Sequence, residues 1–137
     1  MSVIYHGIDL AEIKQIARLL QRHGARFLNR VFTPAEQQYC NRHRRPAERF
    51  AARFAVKEAV MKMIGTGWTA GVAWTDIETV NNAAGKPEIL LHGKVARRVE
   101  QMGVGSLAVS ITHTGDLAIA SVIAFSPEPP QPSTPLP

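Results

Sequence analysis

Apolar and polar positions alternate with two different periods along this chain, and these periods predict the first elements. Residues 3–9 combine β-branched and aromatic side chains in a strand pattern that closes on Gly7 and Asp9. Residues 10–23 then carry apolar side chains at helical spacing, and Gly24 is positioned to end that helix. The N-terminal segment is therefore predicted to be a strand followed directly by a helix.

Two later segments carry helix-boundary signals. In the stretch TPAEQQYC, Thr33 is a good N-cap, proline occupies the first helical position, and Glu36 stands three residues after the cap. A longer helix is predicted to start after Pro46 and to run to Ile64, where Gly65 stops it.

The second half of the chain is predicted to consist mainly of strands. Residues 74–80 and 86–92 form one pair joined by a hairpin-length turn, and residues 106–113 and 117–125 form another around a Thr-Gly-Asp turn. A short helix is predicted within residues 93–103. Most predicted helices lie in the first half of the chain and most predicted strands in the second half. This segregation predicts an α+β fold, with a mainly antiparallel sheet packed against helices.

Length and composition predict one soluble domain. The 137 residues can bury about two-thirds of their unfolded surface. The last twelve residues hold six prolines, so we predict a domain over residues 1–125 and a disordered tail over 126–137. The single cysteine, Cys40, excludes an internal disulfide and a cysteine-based zinc site. We expect a cytoplasmic location, because the sequence shows neither a membrane span nor a signal pattern.

The charge distribution predicts an acidic partner. The net charge of +5 suits nucleic acid, a nucleotide or an acidic protein, and does not choose among them. Lys14, Arg18, Arg22 and Arg26 recur every four residues along the first predicted helix and just beyond it, against one acid at Glu12. A solvated face would explain this stripe, and a docking site for an acidic helix is the alternative.

Two carboxylates are candidates for chemistry. Glu58 stands four residues before Lys62 on the long helix, and an exposed pair of little energetic weight would explain that spacing. Asp9, however, ends a strand that is followed directly by a helix, where a carboxylate is held by the sheet and faces a cleft. Two carboxylates from separate elements, with lysines nearby, suit a hard divalent cation held between protein and phosphate.

Several basic residues elsewhere in the sequence are candidates for binding an anion. Arg49, Arg53 and Lys57 recur every four residues, which is unfavourable unless an anion or a carboxylate relieves the repulsion. His113 ends a predicted strand just before its turn, where a histidine is usually structural or solvated. Lys86, in GKP, is explained first by hairpin chemistry, and it has a binding role only if it points at the same anion.

Six short motifs, in this order, carry a resemblance to a known family: GIDL, FTPAE, RFAVKEA, GTG, GKP and VSITHT. Together they resemble the bacterial holo-acyl-carrier-protein synthases, the small type of 4'-phosphopantetheinyl transferase. The resemblance covers about residues 3–125. Val56 departs from the alanine that the family usually has, and this change removes no functional group.

The resemblance implies an enzyme of lipid metabolism. It implies transfer of 4'-phosphopantetheine from coenzyme A to a serine of apo acyl carrier protein, as in fatty acid biosynthesis, with adenosine 3',5'-bisphosphate as the by-product. It also implies Mg²⁺ as cofactor, a 4'-phosphopantetheinyl transferase-like fold, and a homotrimer whose active sites lie between subunits. Neither a membrane nor a nucleic acid is an implied partner.

The same resemblance implies three sets of site residues. The implied metal ligands are Asp9 and Glu58, which form the catalytic set together with Lys62 and His113. The implied coenzyme-binding residues are Arg53, Lys62, Gly65, Thr66, Lys86, Pro87, Thr112 and His113. The implied carrier-protein contacts are Lys14, Arg18, Arg22 and Arg26. A metal-activated water, Glu58 and His113 all stay open as the group that accepts the serine proton.

Three other functions fit parts of the pattern. A basic nucleic-acid-binding module would fit the charge, but it should show aromatic side chains interleaved with arginines. A metal-dependent phosphatase or pyrophosphohydrolase could use Asp9 and Glu58, although such enzymes commonly assemble more carboxylates. A non-catalytic subunit of the same fold is the third alternative.

Overall fold

The chain begins with a strand, continues through four helices, and ends in strands that surround one further helix. The structure, a computed structural model, describes residues 2–65, 67–69 and 71–127. Its elements are β1 (Val3–Glu12), α1 (Ile13–His23), α2 (Ala25–Val31), α3 (Pro34–Asn41), α4 (Pro46–Ile64), a 3₁₀ turn (Trp74–Asp76), β2 (Ile77–Asn81), β3 (Pro87–Leu91), α5 (Gly93–Gln101), β4 (Leu107–Thr114) and β5 (Leu117–Ser126). The proline-rich segment predicted to be disordered lies mostly outside the described residues.

The strands form two antiparallel sheets. β1, β5 and β4 pair in that order, and β2 pairs with β3 as a separate hairpin. In the larger sheet Asp9 lies opposite Ala120, which lies opposite Ile111. The predicted α+β class, with antiparallel strands packed against helices, is confirmed.

Helix α4 packs across one face of the larger sheet, which we call the inner face. Its alanines Ala51, Ala55 and Ala59 are fully buried, so the helix lies close to the strands. The closest approach is at Gly7 of β1, where an added Cβ would lie 1.9 Å from the carbonyl oxygen of Ala59. Only glycine allows this contact, which sets the position of β1 against α4.

The core also accounts for the single cysteine. Cys40 is fully buried, and burial raises the pKa of its thiol to about 12. Cys40 therefore packs in the core as a small apolar side chain. The described residues include no helix with both the length and the apolar character that a membrane crossing requires.

The predicted boundaries are wrong at three places. β1 continues to Glu12, because it pairs with β5 as far as Leu117, so α1 starts at Ile13 and not at residue 10. A separate helix, α2, follows Gly24, whose φ of 50° redirects the chain. β2 starts at Ile77, because the three residues before it form the 3₁₀ turn.

Candidate active site

Asp9, Glu58 and Lys62 lie together where β1 crosses α4, and we call them the carboxylate cluster. Asp9 Oδ1 accepts a hydrogen bond from Lys62 Nζ at 2.6 Å, and the same ammonium donates to the carbonyl of Ile8 at 3.3 Å. The Lys62 side chain is 58% exposed and the Asp9 side chain 18%. Glu58 precedes Lys62 by one helical turn and is half-buried. The sequence spacing therefore identified side chains that do meet in space.

The charges in the carboxylate cluster perturb one another. Burial raises the pKa of Glu58, and the negative charge of Asp9 raises it further, while the Trp68 indole and the Lys62 ammonium offset part of the rise. The indole N–H of Trp68 is buried and makes no hydrogen bond of normal geometry with the described residues. The pKa of Lys62 is raised, first by its hydrogen bond to Asp9 and then by the charge of that carboxylate. The two carboxylates thus repel each other, and an added cation would relieve the repulsion.

The donor atoms of this cluster suit a hard divalent cation. Asp9 and Glu58 offer carboxylate oxygens, the ligands that Mg²⁺ accepts most readily in proteins. No group of three or more His, Cys, Asp and Glu side chains that could hold a metal occurs in the described part of the chain. A cation bound here would complete its coordination with water and phosphate oxygens, as Mg²⁺ commonly does.

A second group of predicted residues lines one cleft of about 350 Å³. Helices α3 and α4, the β2–β3 hairpin and strand β4 contribute to its walls. Four predicted coenzyme-binding residues line it, namely Arg53, Pro87, Thr112 and His113, together with Tyr39, Arg49, Ala52, Asn81, Gly85 and Ile111. We call this the arginine cleft. The prediction had grouped these four residues only through a resemblance, and the fold brings them to one cavity.

Arg53 is the cation at the base of the arginine cleft. Its side chain is buried, its Nη2 donates to Asn81 Oδ1 at 2.8 Å, and its guanidinium lies 4.0 Å from the centre of the Tyr39 ring. Its Nε–H has no hydrogen-bond partner among the described residues. A guanidinium that is fixed on two sides keeps its positive charge at a set place in the cleft wall, which suits an anion such as phosphate.

The carboxylate cluster and the arginine cleft belong to the same face of the larger sheet. Directly paired residues of antiparallel strands point to the same side, so Asp9, Ala120 and Ile111 share the inner face. Strand spacings place Asp9 and Ile111 about 10 Å apart across the sheet. His113 follows Ile111 by two residues and is also on this face. Helix α4 lies between the two groups, because Arg53 and Lys62 are nine residues apart and therefore project from opposite sides of that helix.

Besides Lys62, which belongs to the carboxylate cluster, two predicted coenzyme-binding residues do not line the cleft, and a third is not among the described residues. The side chain of Lys86 is exposed and borders a neighbouring groove between β3 and β4, while its backbone N–H donates to Asn82 Oδ1. Gly65 ends α4 with a φ of 74°, and a Cβ there would meet nothing within 4 Å. Thr66 lies outside the described residues. The binding roles of all three stay predictions.

For Lys57 the structure shows which of the two expected partners relieves the like-charge series. It had been grouped with Arg49 and Arg53 as a like-charge series that an anion or a carboxylate would relieve. The structure buries Lys57 completely and pairs its Nζ with Glu36 Oε1 at 2.8 Å. Burial lowers the pKa of Lys57, and the charge of Glu36 opposes that shift. A carboxylate therefore satisfies Lys57, and only the two arginines reach the cleft.

The sequence analysis missed two side chains that shape the cleft. Tyr39 and Asn81 hold the Arg53 guanidinium. Arg49, which the four-residue spacing had already singled out, lies beside Arg53 on α4 and also lines the cleft. Tyr39 and Asn81 gave no local signal, because they come from different elements.

The predicted docking residues form an exposed stripe. Lys14, Arg18 and Arg22 lie on the solvent side of α1, whose Ile16 is buried against the core. Arg26 is also exposed and belongs to the separate helix α2, after the break expected at Gly24. Arg18 and Arg22, with Gln21, line a shallow surface pocket. Both explanations of the stripe, a solvated face and a docking site, agree with this geometry.

Comparison with known families shows which proteins the chain resembles. The sequence model of the 4'-phosphopantetheinyl transferase superfamily matches residues 6–121. The chain belongs to this superfamily. The resemblance carried by the six short motifs is thereby confirmed.

Individual superfamily members agree with this assignment. The chain is 50% identical, over 121 residues, to the holo-[acyl-carrier-protein] synthase of Solibacter usitatus, covering 88% of this chain and 97% of that protein. The crystal structure of the Neisseria meningitidis synthase superposes with a TM-score of 0.79 at 32% identity, over 88% of this chain and 96% of that one. The Helicobacter pylori synthase, solved in complex with coenzyme A, superposes with a TM-score of 0.76 at 28% identity, over 87% of this chain and 98% of that one.

Proposed function

We propose that this protein transfers 4'-phosphopantetheine from coenzyme A to a serine hydroxyl of apo acyl carrier protein. The products are the holo carrier protein and adenosine 3',5'-bisphosphate. The observation that carries the proposal is the carboxylate cluster, in which β1 and α4 bring Asp9, Glu58 and Lys62 together. The reaction breaks a pyrophosphate bond, so its main demand is positioning and neutralisation of negative charge. The names of the relatives and the coenzyme A complex of the Helicobacter pylori synthase support the same reaction.

The arginine cleft is the proposed site for the nucleotide end of coenzyme A. Arg53 attracts a phosphate through the positive charge of its guanidinium, which Asn81 and Tyr39 hold in the wall of the cleft. His113 contacts the same end from strand β4, and Pro87 and Thr112 form walls of the cleft. In this proposal Gly65, Thr66 and Lys86 border the pyrophosphate from the loops. Gly65 suits that role because it carries no side chain that would keep the backbone from the phosphates.

The carboxylate cluster is the proposed reaction centre. Asp9 and Glu58 would hold Mg²⁺, which supplies positive charge at the pyrophosphate oxygens when it is bound. Lys62 adds a mobile positive charge, because its exposed ammonium can leave Asp9 and bind a phosphate oxygen. This exchange leaves Asp9 free to act as a ligand.

The stripe on α1 and α2 is the proposed docking site for the carrier protein. Lys14, Arg18, Arg22 and Arg26 present four exposed cations, which suit an acidic helix. Contacts between such exposed charges act mainly on the association rate and weaken with salt. We place the reaction in the cytoplasm, in accordance with the expectation from the sequence.

We further propose that the active protein is a homotrimer with active sites between subunits. The outer face of the larger sheet, opposite α4, supports this assembly. It exposes a group of large apolar side chains, Ile4, Ile8, Leu10, Ile123 and Phe125, at 72, 53, 55, 46 and 53%. A contiguous apolar patch of this kind marks an interaction surface. Light scattering on the purified protein tests the trimer, and a monomer at micromolar concentration would contradict it.

Intact-mass spectrometry of a carrier protein tests the reaction itself. Apo acyl carrier protein is incubated with coenzyme A, Mg²⁺ and either the wild type, Asp9→Asn or Glu58→Gln. We expect the wild type to add one phosphopantetheine group, and each variant to be slower by at least about a hundredfold. The matched control is Glu100→Gln, an exposed carboxylate on α5, which should transfer normally.

Three outcomes would contradict the proposal. A folded wild type that modifies none of several carrier proteins would exclude the transferase. Release of products from coenzyme A without carrier protein would favour a pyrophosphohydrolase. Transfer at an unchanged rate after removal of Mg²⁺ with a chelator would exclude the proposed metal.

A further inference from the structure

Helix α1 begins without a cap of its own. The residue at its N-cap position, Glu12, makes no side-chain hydrogen bond to the helix, and the first turn contains no acidic residue. The first N–H groups of any helix lack partners within the helix and need acceptors from elsewhere. The start of α1 therefore depends on another part of the chain.

Asp116 provides these acceptors from the turn between β4 and β5. Its backbone oxygen accepts the N–H of Ile13 at 2.8 Å, and its Oδ1 accepts the N–H of Lys14 at 3.0 Å. The preceding residue, Gly115, has a φ of 56°, which allows the tight turn that brings Asp116 to the helix. A carboxylate at this end of a helix also interacts favourably with the helix dipole. One distant residue thus caps the first turn of α1 in two ways.

The position of this cap links the two halves of the proposed site. Lys14, whose N–H is held by Asp116, is the first cation of the exposed stripe on α1. Three residues before Asp116, the same hairpin carries His113, which lines the arginine cleft. The start of the docking helix is therefore attached to the end of the strand that contributes to the cleft.

We propose that Asp116 is a positioning residue for carrier-protein docking. It holds the first turn of α1, and with it Lys14, at a set place relative to the cleft. This inference rests on the proposed function, because it assumes that α1 binds the carrier protein. Asp116 itself need not touch either substrate, since its backbone oxygen and its Oδ1 both accept N–H groups of the helix.

The expected effect is selective for one substrate. Without the Asp116 side chain the first turn of α1 frays. Part of the free energy of carrier-protein binding is then used to order that turn again, so the affinity falls. Coenzyme A binds in the arginine cleft, whose lining residues are unchanged by this substitution. A lost helix cap predicts a rise of roughly fivefold in the KM for the carrier protein. The kcat and the KM for coenzyme A should stay close to the wild-type values.

The experiment compares the wild type with Asp116→Ala, Asp116→Asn and a matched control. Asparagine keeps an acceptor oxygen at the same place, so Asp116→Asn should restore most of the carrier-protein affinity. The control is Asp76→Ala, which removes a carboxylate that accepts a backbone N–H at 3.2 Å in a turn away from α1. Both KM values and kcat are measured for each protein. Residue-resolved amide hydrogen exchange is measured in parallel, without substrates.

The inference requires two results together. In Asp116→Ala the amide of Lys14 must exchange faster than in the wild type and in Asp76→Ala, and only the KM for the carrier protein must rise. Unchanged exchange at Lys14 would overturn the cap. A matching rise in both KM values, or a fall in kcat alone, would overturn the positioning role. If the Lys14 amide of the wild type is protected from exchange but the wild type transfers no phosphopantetheine, the proposed function is refuted, and the docking role with it.

Discussion

Two lysine–carboxylate pairs on α4 show how differently the same chemistry can be used. Lys57 pairs with Glu36 at 2.8 Å, and Lys62 pairs with Asp9 at 2.6 Å. Both side chains of the first pair are fully buried, whereas those of the second are 58% and 18% exposed. The distances are nearly equal, so burial and the surrounding donors must decide what each pair does.

The buried pair is satisfied by the protein alone. Glu36 also accepts the backbone N–H groups of Thr33 and Thr79 at 3.0 Å each, and Lys57 also donates to the carbonyls of Trp74 and Ile77. Removing one partner would leave a buried charge without compensation. The exposed pair has Glu58 beside it, and water can replace either partner at low cost. The first pair therefore connects α3, α4 and β2, and the second is available for a metal ion or a phosphate.

The largest effect should follow from breaking the buried pair. We expect Glu36→Ala to lower the free energy of unfolding by about 3–5 kcal/mol, because it leaves the Lys57 ammonium buried and unpaired. Urea denaturation measures this change. Asp9→Ala, the matching change in the exposed pair, should cost about 1 kcal/mol or less. Equal losses from the two substitutions would contradict the comparison.

The position of Asp9 relative to Lys62 should depend on the close approach of β1 to α4. We expect Gly7→Ala to lower the free energy of unfolding by about 1–3 kcal/mol, because its Cβ would collide with the Ala59 carbonyl. It should also slow the transfer, since Asp9 follows two residues later and would move relative to Lys62. Thermal unfolding and the transfer assay measure both effects. Gly105→Ala is the control, because a Cβ there meets nothing within 4 Å.

The same substitution at the two lysines separates stability from catalysis. We expect Lys62→Met to reduce kcat/KM by about a hundredfold, because it removes a charge from the reaction centre. Its folding stability should stay within about 1 kcal/mol of the wild type, since the lost pair is exposed. Lys57→Met should show the opposite pattern, with a large loss of stability. A stable but inactive Lys57→Met would place the buried pair in the reaction instead.

The smallest effect concerns the pH dependence of stability in the metal-free protein. The folded-state pKa of Glu58 is raised above its ordinary value of 4.5 by burial and by Asp9, so the folded protein holds this proton more tightly than the unfolded chain. Stability should therefore fall as pH rises from 4.5 through the raised pKa. Glu58→Gln should remove this loss, and Asp9→Asn should reduce it. Urea denaturation between pH 4 and 7 gives the free energy of unfolding at each pH. The same pH dependence in the wild type, Glu58→Gln and Asp9→Asn would contradict the prediction.

The carboxylate cluster shows which contacts follow from local sequence patterns. Glu58 and Lys62 stand four residues apart on one helix, so their shared side follows from helical geometry alone. The start of α3 could also be predicted from neighbouring residues, since Thr33 and Glu36 form the expected capping box. The role of Asp9 came from its motif and from its place at a predicted strand end. The strand in fact continues to Glu12, and Asp9 still faces α4 because alternation along a strand does not depend on where it ends.

Other features could not be predicted from the sequence because they depend on what lies opposite each side chain. Helical spacing puts Arg49, Arg53 and Lys57 near one another, but it does not show that Glu36 pairs with the last of them. Pairing of Arg53 with Tyr39 and Asn81 requires three elements to meet. The cap that Asp116 provides for α1 acts over 102 residues, beyond any local pattern.

The sequence by itself determined the α+β class, most elements and the membership of the superfamily, because these depend on local periodicity and short motifs. It also identified Asp9, Glu58 and Lys62 as a group. Only the tertiary structure decided that Lys57 is buried with Glu36 while Lys62 stays exposed beside Asp9. The physical reason is that desolvation and hydrogen-bond satisfaction depend on neighbours from distant segments, which no spacing along one helix specifies.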